Sequence, residues 1–403
     1  MFRLIGGRDH PRTLGYCEPR RGRTLWSVGA RGGDVARAAR DVARRIERLA
    51  DRADDIVGLL RESGAELRRA VPFAFDACWF TIDPSTLLVT GHYNAHLDGE
   101  ADLRRTVNLG LARNEYQEPD VNKFADLATR HRPADTLHRA TNGDPHRSPR
   151  YRTLLRPLGA ETEVRVAMRD RGNCWAGVAL YRPPGEPDFS ERDIDLILSV
   201  ADRIARGVRQ ALLLGDLDAA DPDTSPGLVL FDEQGEVEAT TPAADRWLLH
   251  LVDPEPGEQD GVPHVVYAVA ARCRTSDHDP TMPVRTRVPT RSGGWLVLHA
   301  SLLGHGESAR TAVIIEPALP MEVAPLKLQA YGLTTRELEV ASRVLQGETT
   351  DQIAAALFIT PYTVQDHCKS IFAKVGVTSR RELVSVLAAR SLGAGSAPPT
   401  ARQ

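Results

Sequence analysis

The chain has 403 residues, of which 42% are hydrophobic and 26% are charged, and its formal net charge is −3. These proportions are ordinary for globular proteins, and typical domain sizes predict about three domains for this length. The small net charge excludes a general electrostatic attraction to nucleic acids or membranes, so any such affinity has to come from a local surface.

Cysteine usage and hydropathy indicate the compartment. The five cysteines are odd in number and widely spaced, and none forms a C-x-x-C pair: Cys17, Cys78, Cys174, Cys273 and Cys368. This pattern predicts reduced thiols and argues against a disulfide framework or a zinc site. No apolar run approaches the length of a membrane span, and the N-terminus lacks the apolar region of a signal peptide. We therefore expect a cytoplasmic protein without membrane contacts.

The chain opens with two segments of different character. Residues 1–31 are rich in Gly, Pro and Arg, and we expect a flexible basic leader there. Residues 32–63 predict one amphipathic helix, because apolar residues recur at steps of four and three, the spacing of a heptad seam. These positions are Val35, Ala39, Val42, Ile46, Leu49, Ala53, Ile56 and Leu60. Two interpretations stay open: a helix that dimerises the protein, or the first helix of the following domain, packed on its own sheet. Both hold if the helix lies in a bundle between subunits.

Residues 64–214 predict strands, then helices, then strands again. Strand-like runs at 77–82 and 87–90 flank a turn, a helix follows at 103–113, and paired strands are expected at 163–168 and 174–181. Ser190-Glu-Arg-Asp193 then opens a long helix with an apolar stripe. This order, with Phe189-Ser-Glu-Arg-Asp-Ile194 before the closing helix, resembles a GAF sensory domain. The resemblance implies an α+β fold that holds a small ligand between sheet and helices, or that only dimerises.

An acidic, proline-containing linker is expected at residues 215–226, and a second α+β segment follows at residues 227–317. Its predicted elements are strands at 227–232 and 236–238, a helix at 242–249, and strands at 284–288, 294–303 and 311–316. Alternation along one strand predicts two faces, with Trp295, Val297 and His299 on one and Leu296, Leu298 and Ala300 on the other. The segment resembles a PAS domain, which implies a second antiparallel-sheet sensor. Residues 318–328 are interpreted as a hinge-like linker, marked by Pro317, Pro320 and Pro325.

The C-terminal segment, residues 329–391, contains four helix-start signals. Three fit the capping box, in which the N-cap hydroxyl and the N3 side chain bind each other's backbone amides: Thr334-Thr-Arg-Glu337, Thr349-Thr-Asp-Gln352 and Ser379-Arg-Arg-Glu382. The other start places Thr360 at the N-cap and Pro361 at the first helical position. We therefore predict four short helices with tight connections, followed by a disordered tail at residues 392–403.

The second and third of these helices are predicted to form a helix-turn-helix. Ile353, Ala354 and Leu357 face inward on the second helix, and residues 358–360 connect it to the third. The third helix has one apolar stripe formed by Val364, Cys368, Ile371, Phe372 and Val375. Its opposite face is polar, with Tyr362, Gln365, Asp366, Lys369 and Ala373, and Lys374 alongside. Amide, carboxylate and ammonium groups on one helix face suit the reading of base edges in the major groove of DNA.

These segments, with Leu333-Thr-Thr-Arg-Glu-Leu-Glu-Val340 and Lys374-Val-Gly-Val377, resemble the LuxR-type DNA-binding domain of bacterial transcription regulators over residues 325–390. The resemblance implies base contacts by Gln365, Asp366 and Lys369. It implies phosphate contacts by Thr350, Thr360, Tyr362, Thr363 and Lys374. It also implies dimerisation through the last helix, at Arg380, Glu382, Leu383 and Val386. The sequence departs from the family at two positions: Gln365 stands where a Lys is common, and Ser370 stands where an Asn is frequent. These departures affect which DNA sequence is expected as the target, not the class of the domain.

Catalytic and metal-binding patterns are absent from the sequence. It contains no P-loop, no H-E-x-x-H and no nucleophile elbow. His92 and His96 lie four residues apart, and Ser276-Asp-His-Asp279 forms a polar loop, but neither fits a ligand set of defined geometry. The order of elements also differs from that of a phosphoacceptor receiver domain. We therefore predict no enzymatic activity, no catalytic residue, no metal site and no cofactor.

The sequence as a whole predicts a multidomain α+β protein, with GAF-like and PAS-like antiparallel-sheet sensor domains before an all-α four-helix LuxR-type helix-turn-helix domain. The expected function is sequence-specific DNA binding that regulates transcription, controlled by an unidentified signal at the sensors. The expected partners are a double-stranded DNA operator and a second copy of the chain. RNA polymerase is a further candidate, and a small-molecule ligand is left open. One alternative is a signalling adaptor whose sensor-like domains bind protein partners, and the other is an enzyme with a regulatory DNA-binding tail, for which no residue pattern in the sequence gives support.

Local charge gives this expectation only modest support. Residues 325–391 contain eight Lys and Arg against six Asp and Glu, and the difference is 8 − 6 = +2. Strong binding to a polyanion usually needs a larger basic patch, although two such domains in a dimer would double the charge.

Overall fold

A computed structural model of the chain describes residues 3–4, 32–53, 55–94, 101–214, 225–251, 261–275, 278, 282–291 and 294–388. Most of the predicted leader, residues 215–224 of the first linker and the C-terminal tail therefore lie outside the described residues. Within the leader, Arg3–Leu4 forms strand β1 and pairs with residues Thr240 and Ala239. The leader prediction is thus wrong at these two residues, because their backbone extends the edge of a sheet.

The heptad segment forms two helices, α1 (Gly32–Asp51) and α2 (Ile56–Arg68), and the prediction of one continuous helix is wrong. Asp55 causes the break, because its carboxylate caps α2 by accepting from the amides of Val57 (3.1 Å) and Gly58 (2.7 Å). The heptad positions from Ala39 to Leu60 all join the core of the first sheet domain. The structure therefore supports the second interpretation, a helical segment packed on its own domain.

The first sheet domain contains a five-stranded antiparallel sheet in the order β3-β2-β6-β5-β4. Its strands are β2 (Ala74–Ile82), β3 (Val89–Tyr93), β4 (Ala134–Thr136), β5 (Thr162–Asp170) and β6 (Asn173–Arg182). Its helices after α2 are α3 (Ala101–Ala112), α4 (Phe124–Thr129), α5 (Leu137–Ala140) and α6 (Glu191–Leu214). The strands at 77–82, 163–168 and 174–181 and the long helix after Ser190 are confirmed.

Each face of this sheet is covered by helices. On one face α6 lies on the sheet with α1 and α2 packed against it, and their side chains form one core with Trp79, Trp175 and Val178. Gly207 of α6 lies at the contact, where an added Cβ would sit 2.7 Å from Leu59 and 3.0 Å from the backbone of Ala50. On the other face α3 and α4 enclose a second core. Since helices bury both faces of the sheet, neither face is exposed for dimerisation.

The second sheet domain has a six-stranded antiparallel sheet in the order β1-β8-β7-β11-β10-β9. Its strands are β7 (Gly227–Phe231), β8 (Val237–Thr240), β9 (Val284–Pro289), β10 (Trp295–Leu303) and β11 (Arg310–Pro317). Its helices are α7 (Pro242–His250) and α8 (His264–Cys273). The predicted strands and the helix from Pro242 are confirmed, whereas α8 was missed.

Helix α8 joins the two sheet domains. All its residues except Arg272 are buried. One side packs on β9, β10 and β11 of its own domain, and the other packs on β3 and α3 of the first. Leu88 and Ala112 of the first domain therefore belong to the core of the second. The two domains share apolar side chains across their boundary.

The C-terminal helical domain has five helices: α9 (Pro320–Ala330), α10 (Thr335–Leu345), α11 (Thr350–Leu357), α12 (Pro361–Val375) and α13 (Arg380–Ala388). The interpretation of residues 318–328 as a linker is wrong, because most of them form α9, with Pro320 in its first turn and Pro325 inside it. Ala324 and Leu328 of α9 belong to the same core as α10–α13. Among the described residues, no helix is both long and apolar enough to cross a membrane.

Candidate nucleic-acid interface

The helix starts of the C-terminal domain follow the sequence signals closely. Thr334 and Thr349 form reciprocal capping boxes with Glu337 and Gln352. Thr360 caps α12 by accepting from the Thr363 amide at 3.1 Å. The fourth signal holds only in part: Ser379 accepts from the Glu382 amide at 3.1 Å, but the Glu382 carboxylate accepts from Thr378 N at 2.6 Å. The caps fix where each helix begins.

Helix α12 presents the two faces that the sequence predicts. Val364, Cys368, Ile371 and Val375 are buried in the domain core, and Phe372 packs partly against it. The opposite face is exposed, and it carries Tyr362, Gln365, Asp366, Lys369 and Ala373. Lys369, with 73% of its side chain exposed, pairs with Asp366 at 3.2 Å. The polar face is therefore accessible, and the described residues of the sheet domains do not cover it.

The turn before α12 places one large apolar side chain in solvent. Phe358 ends α11 in the left-handed conformation, with φ of 55°, and its side chain is 95% exposed. Left-handed backbone reverses the chain within a few residues, which brings the start of α12 close to α11. The predicted connector at 358–360 is thus confirmed as the helix-turn-helix turn.

A buried carboxylate connects α10 to α12. Glu337 accepts from Lys374 Nζ at 2.6 Å and from Ser370 Oγ at 2.6 Å, and it also accepts from the Thr334 amide. Burial alone would raise the pKa of Glu337, but the hydrogen bonds from Lys374, Ser370 and Thr334 outweigh it and lower the pKa to about 2. Sequence reasoning identified Glu337 only as a cap and missed this contact.

The predicted phosphate-contact residues lie around the start of α11 and along α12. Thr350 Oγ1 accepts from Arg380 at 3.1 Å, and Thr360 and Thr363 share a hydroxyl hydrogen bond of 2.9 Å. Tyr362 is 70% exposed. Lys374 keeps about a third of its side chain in solvent while it pairs with Glu337. Their contacts with DNA stay a prediction.

The predicted dimerisation helix, α13, is largely engaged within its own domain. Arg380 donates to the Glu348 carbonyl at 2.9 Å, and Leu383 is fully buried in the core. Glu382 caps the helix, and Val386 is partly buried. Val384 is an exposed apolar residue of this helix, and the sequence interpretation did not include it. Dimerisation through α13 stays a prediction, and Val384 is a better candidate contact than Leu383.

Comparison with known proteins identifies this domain. Residues 332–387 match the family described as bacterial regulatory proteins, luxR family, and residues 54–208 match the GAF domain. The spore germination protein GerE of Bacillus subtilis is 42% identical over 52 residues, which are 13% of this chain and 70% of that protein. The chain belongs to the luxR family of bacterial regulatory proteins. It is a DNA-binding transcription regulator with a GAF domain upstream, and both resemblances are confirmed.

Another relative of this luxR-family chain matches over a longer region. The uncharacterized transcriptional regulatory protein YhcZ of Bacillus subtilis is 28% identical over 166 residues, covering 40% of this chain and 72% of YhcZ. Among solved structures, the VqmA–ligand–DNA complex from Vibrio cholerae shares 16% identity over 42% of this chain and 83% of that one. Its TM-score is 0.21, and a likeness this weak supports no conclusion about fold or ligand.

The interior of the GAF domain of this luxR-family regulator contains a network of buried ion pairs. Arg165 is buried between the sheet and α4, where it pairs with Glu115 at 2.9 Å and lies 3.9 Å above the Phe124 ring. Arg150 is equally buried and pairs with Glu163 at 2.8 Å. Buried charges of this kind are stable only when they are paired, so the network fixes the region between sheet and helices.

The boundary between the GAF domain and the second sheet domain contains two neutral histidines. His264 at the start of α8 contacts His92 of β3, with ring centroids 5.6 Å apart. Burial lowers the pKa of His92 to about 4 and, with the nearby His92, lowers the pKa of His264 to about 3. A cavity of about 10 Å³ nearby is lined by residues of both domains, among them Thr81, Tyr93, Val265 and Val288, and it has room for about one water molecule.

Proposed function

We propose that this luxR-family regulator binds operator DNA as a homodimer, with α12 in the major groove. Gln365, Asp366 and Lys369 read base edges, and Lys374 contacts a phosphate. Thr350, Thr360, Tyr362 and Thr363 are the further phosphate contacts. The observation that carries the proposal is the exposed polar face of α12, whose opposite face is held by the domain core.

The ion pair between Asp366 and Lys369 is compatible with base reading. Both side chains are largely exposed, and such surface pairs contribute about 0–1 kcal/mol. Base edges can replace this contact at little cost in free energy. Lys374 has three donor hydrogens, so it can keep its bond to Glu337 and still donate to a phosphate.

The regulatory signal enters through the two sheet domains. The GAF domain and the second sheet domain, which the sequence interpretation assigns to the PAS type, share side chains through α8, so a ligand or partner that alters one domain also alters the other. We further propose a cytoplasmic protein without catalytic activity, in which α13 contributes to the dimer through Val384. RNA polymerase is the partner through which bound protein would alter transcription.

Two single substitutions test the reading face. Duplexes selected from a random library by the full-length protein serve as probes in a gel-shift assay. We expect Gln365→Ala and Lys369→Ala each to weaken binding by about 5- to 150-fold, because a good base contact contributes about 1–3 kcal/mol. The matched control is Gln346→Ala, an exposed position at the end of α10, which should bind as the wild type does.

The assay also has outcomes that contradict the proposal. If both α12 variants shift the selected duplexes as strongly as the wild type, the assigned face is wrong. Binding that weakens steeply with added salt is expected, because phosphate contacts release counterions. A full-length protein that selects no duplex and shows no salt-dependent shift would favour the adaptor interpretation instead.

A further inference from the structure

Helix α9 is shared between the sensor part of the molecule and the DNA-binding domain (α10–α13). Val323, Leu326 and Ala330 belong to the core that contains α6 of the GAF domain. Ala324 and Leu328 belong to the core of the DNA-binding domain. At 100° per residue these two sets point in directions roughly 150° apart around the helix. Because both directions are buried, α9 cannot rotate without exposing one of the two cores.

The C-terminal end of α9 is held by two arginines of the GAF domain. The last carbonyls of a helix have no partner within the helix. Here the Ala330 carbonyl accepts from Arg209 of α6, and the Tyr331 carbonyl accepts from Arg171 Nη1 at 3.0 Å. Arg209 is itself oriented by Asp170, to which its Nε donates at 2.6 Å. A cation at a helix C-terminus is also favoured by the helix dipole.

The backbone just after α9 is shaped for this contact. Gly332 has φ of +76°, a conformation that side-chain-bearing residues rarely adopt. A Cβ added at Gly332 would lie 1.9 Å from Arg171 Nη1, so the guanidinium occupies the space that any other residue would need. The chain leading into α10 therefore approaches Arg171 directly.

The N-terminal end of α9 is held by the second sheet domain. Glu322 forms an ion pair with Arg285 of β9, and it also accepts from the Leu319 amide at 2.7 Å. Ser85 of the GAF domain adds a hydrogen bond to Gln329 at 3.3 Å. Helix α9 is thus fixed at both ends by different domains, and the DNA-binding domain is fixed to α9 through a common core.

We propose that Arg171 and Arg209 determine which operators the dimer accepts, by fixing the orientation of the DNA-binding domain on the sensors. They are positioning residues: they touch no base, but they set where α12 lies relative to the rest of the protomer. In a dimer whose two copies also touch through their sensor domains, this orientation sets the distance and angle between the two copies of α12, and hence the spacing between operator half-sites. The inference rests on the proposed dimeric binding of DNA.

The test compares half-site spacing preferences of the full-length protein. Probes carry two copies of the half-site selected by the wild type, with spacers that increase one base pair at a time over a full helical turn, and a further probe carries one half-site. For the wild type we expect one preferred spacing and a loss of about 100-fold in affinity half a turn away, where only one domain can bind. For the double variant Arg171→Ala with Arg209→Ala, we expect the affinity to differ by only about threefold between the best and the worst spacing. Its affinity for the single half-site should be unchanged.

Arg206→Ala is the matched control, because Arg206 lies on α6 one turn before Arg209 and pairs with Asp51 of α1. It should keep the spacing preference of the wild type. If the double variant also keeps that preference, the proposal is overturned. It is equally overturned if the double variant loses affinity for the single half-site while its fold is unchanged, since the arginines would then act on DNA directly.

Hydrogen exchange without DNA separates this inference from the proposed function. In the double variant, amides at the end of α9 should exchange about tenfold faster, whereas those of α10–α12 should change less than about twofold. Equal acceleration in both regions would mean that the arginines only stabilise the fold, and it would overturn the proposal. If the wild type selects no DNA, the proposed function fails, yet the exchange pattern still decides whether these residues hold α9.

Discussion

Glu337 concentrates several functions in one carboxylate, since it caps α10 and also holds two residues of α12. Its pKa is lowered to about 2 in the folded protein, against an ordinary value of 4.5. A lowered carboxyl pKa stabilises the fold at every pH above the ordinary value, and the stabilisation disappears as pH falls towards the folded value. The charge of Glu337 therefore contributes stability above about pH 4.5 that is lost by about pH 2.

We expect Glu337→Gln to reduce the free energy of unfolding of the DNA-binding domain by about 3 kcal/mol at neutral pH. The measurement is hydrogen exchange of α10 and α12 amides in the full-length chain. The difference from the wild type should shrink between pH 4.5 and 2, because the wild-type carboxyl then becomes neutral as well.

Glu339→Gln is the control for this substitution. Glu339 lies on the same helix but pairs with Arg336 at the surface, so its loss should cost less than about 0.5 kcal/mol. Equal effects of the two substitutions would show that the contacts of Glu337 with α12 add no more to the free energy of unfolding than a surface ion pair does.

At the scale of elements, the paired helices α1 and α2 carry the strongest periodicity in the sequence, yet their apolar side chains from Ala39 to Leu60 lie in the GAF core or pack against it. We expect Ile46→Ala to destabilise the GAF domain by about 2–5 kcal/mol, because the side chain is fully buried and its removal leaves a cavity. Thermal unfolding measures the loss, and light scattering after size exclusion should show an unchanged oligomeric state.

Arg48→Ala, two residues further along the exposed side of α1, should leave both measurements unchanged. A dimer that dissociates in Ile46→Ala, with no loss of thermal stability, would instead restore the interpretation of this segment as a dimerising seam.

Physical reasons explain why sequence reasoning missed some of the elements. Helix α8 is a short and almost wholly apolar run, and such a run has no period that separates a buried helix from a buried strand. Helix α9 contains Pro325, which normally marks a helix end. The break before α2 kept the heptad phase, so Asp55 was not recognised as a cap. By contrast, the helices α10–α12 begin where their capping residues predict.

In the candidate site too, local features were predictable from the sequence and tertiary contacts were not. The exposed and buried faces of α12 were predictable, because helical periodicity assigns each residue to one side. The contacts of Glu337 with α12, and those of Arg171 and Arg209 with α9, were not, because they join residues that are distant in sequence. Tertiary pairs of this kind leave no local pattern.

At the scale of the whole molecule, the burial of His92 and His264 where the two sheet domains meet predicts that the stability of these domains depends on pH. Both folded pKa values lie well below the ordinary 6.5, so the folded protein resists protonation of these rings. The stability that the two neutral rings contribute is fully present above about pH 6.5, and it is lost as the pH falls towards 4 for His92 and 3 for His264. Each ring should lower the free energy of unfolding by about 1.4 kcal/mol at pH 5.5.

We expect His264→Gln to flatten the fall in melting temperature between pH 7.5 and 5.5, because one of the two buried rings is removed. Thermal unfolding of the full-length chain measures this slope. His131→Gln is the matched control at an exposed position, and its slope should equal that of the wild type. A steeper slope in His264→Gln would contradict the assignment of this histidine as a neutral ring.

One residue of β10 offers an optical probe of the link between sensing and DNA reading. Trp295 is buried in the same cluster as Val323 and Leu326 of α9, and no tryptophan occurs after it in the chain. Indole emission depends on the polarity around the ring, so water admitted beside α9 would shift the fluorescence of this residue. With the other tryptophans replaced by phenylalanine, the wavelength of its emission would follow detachment of the DNA-binding domain in real time, without any attached dye.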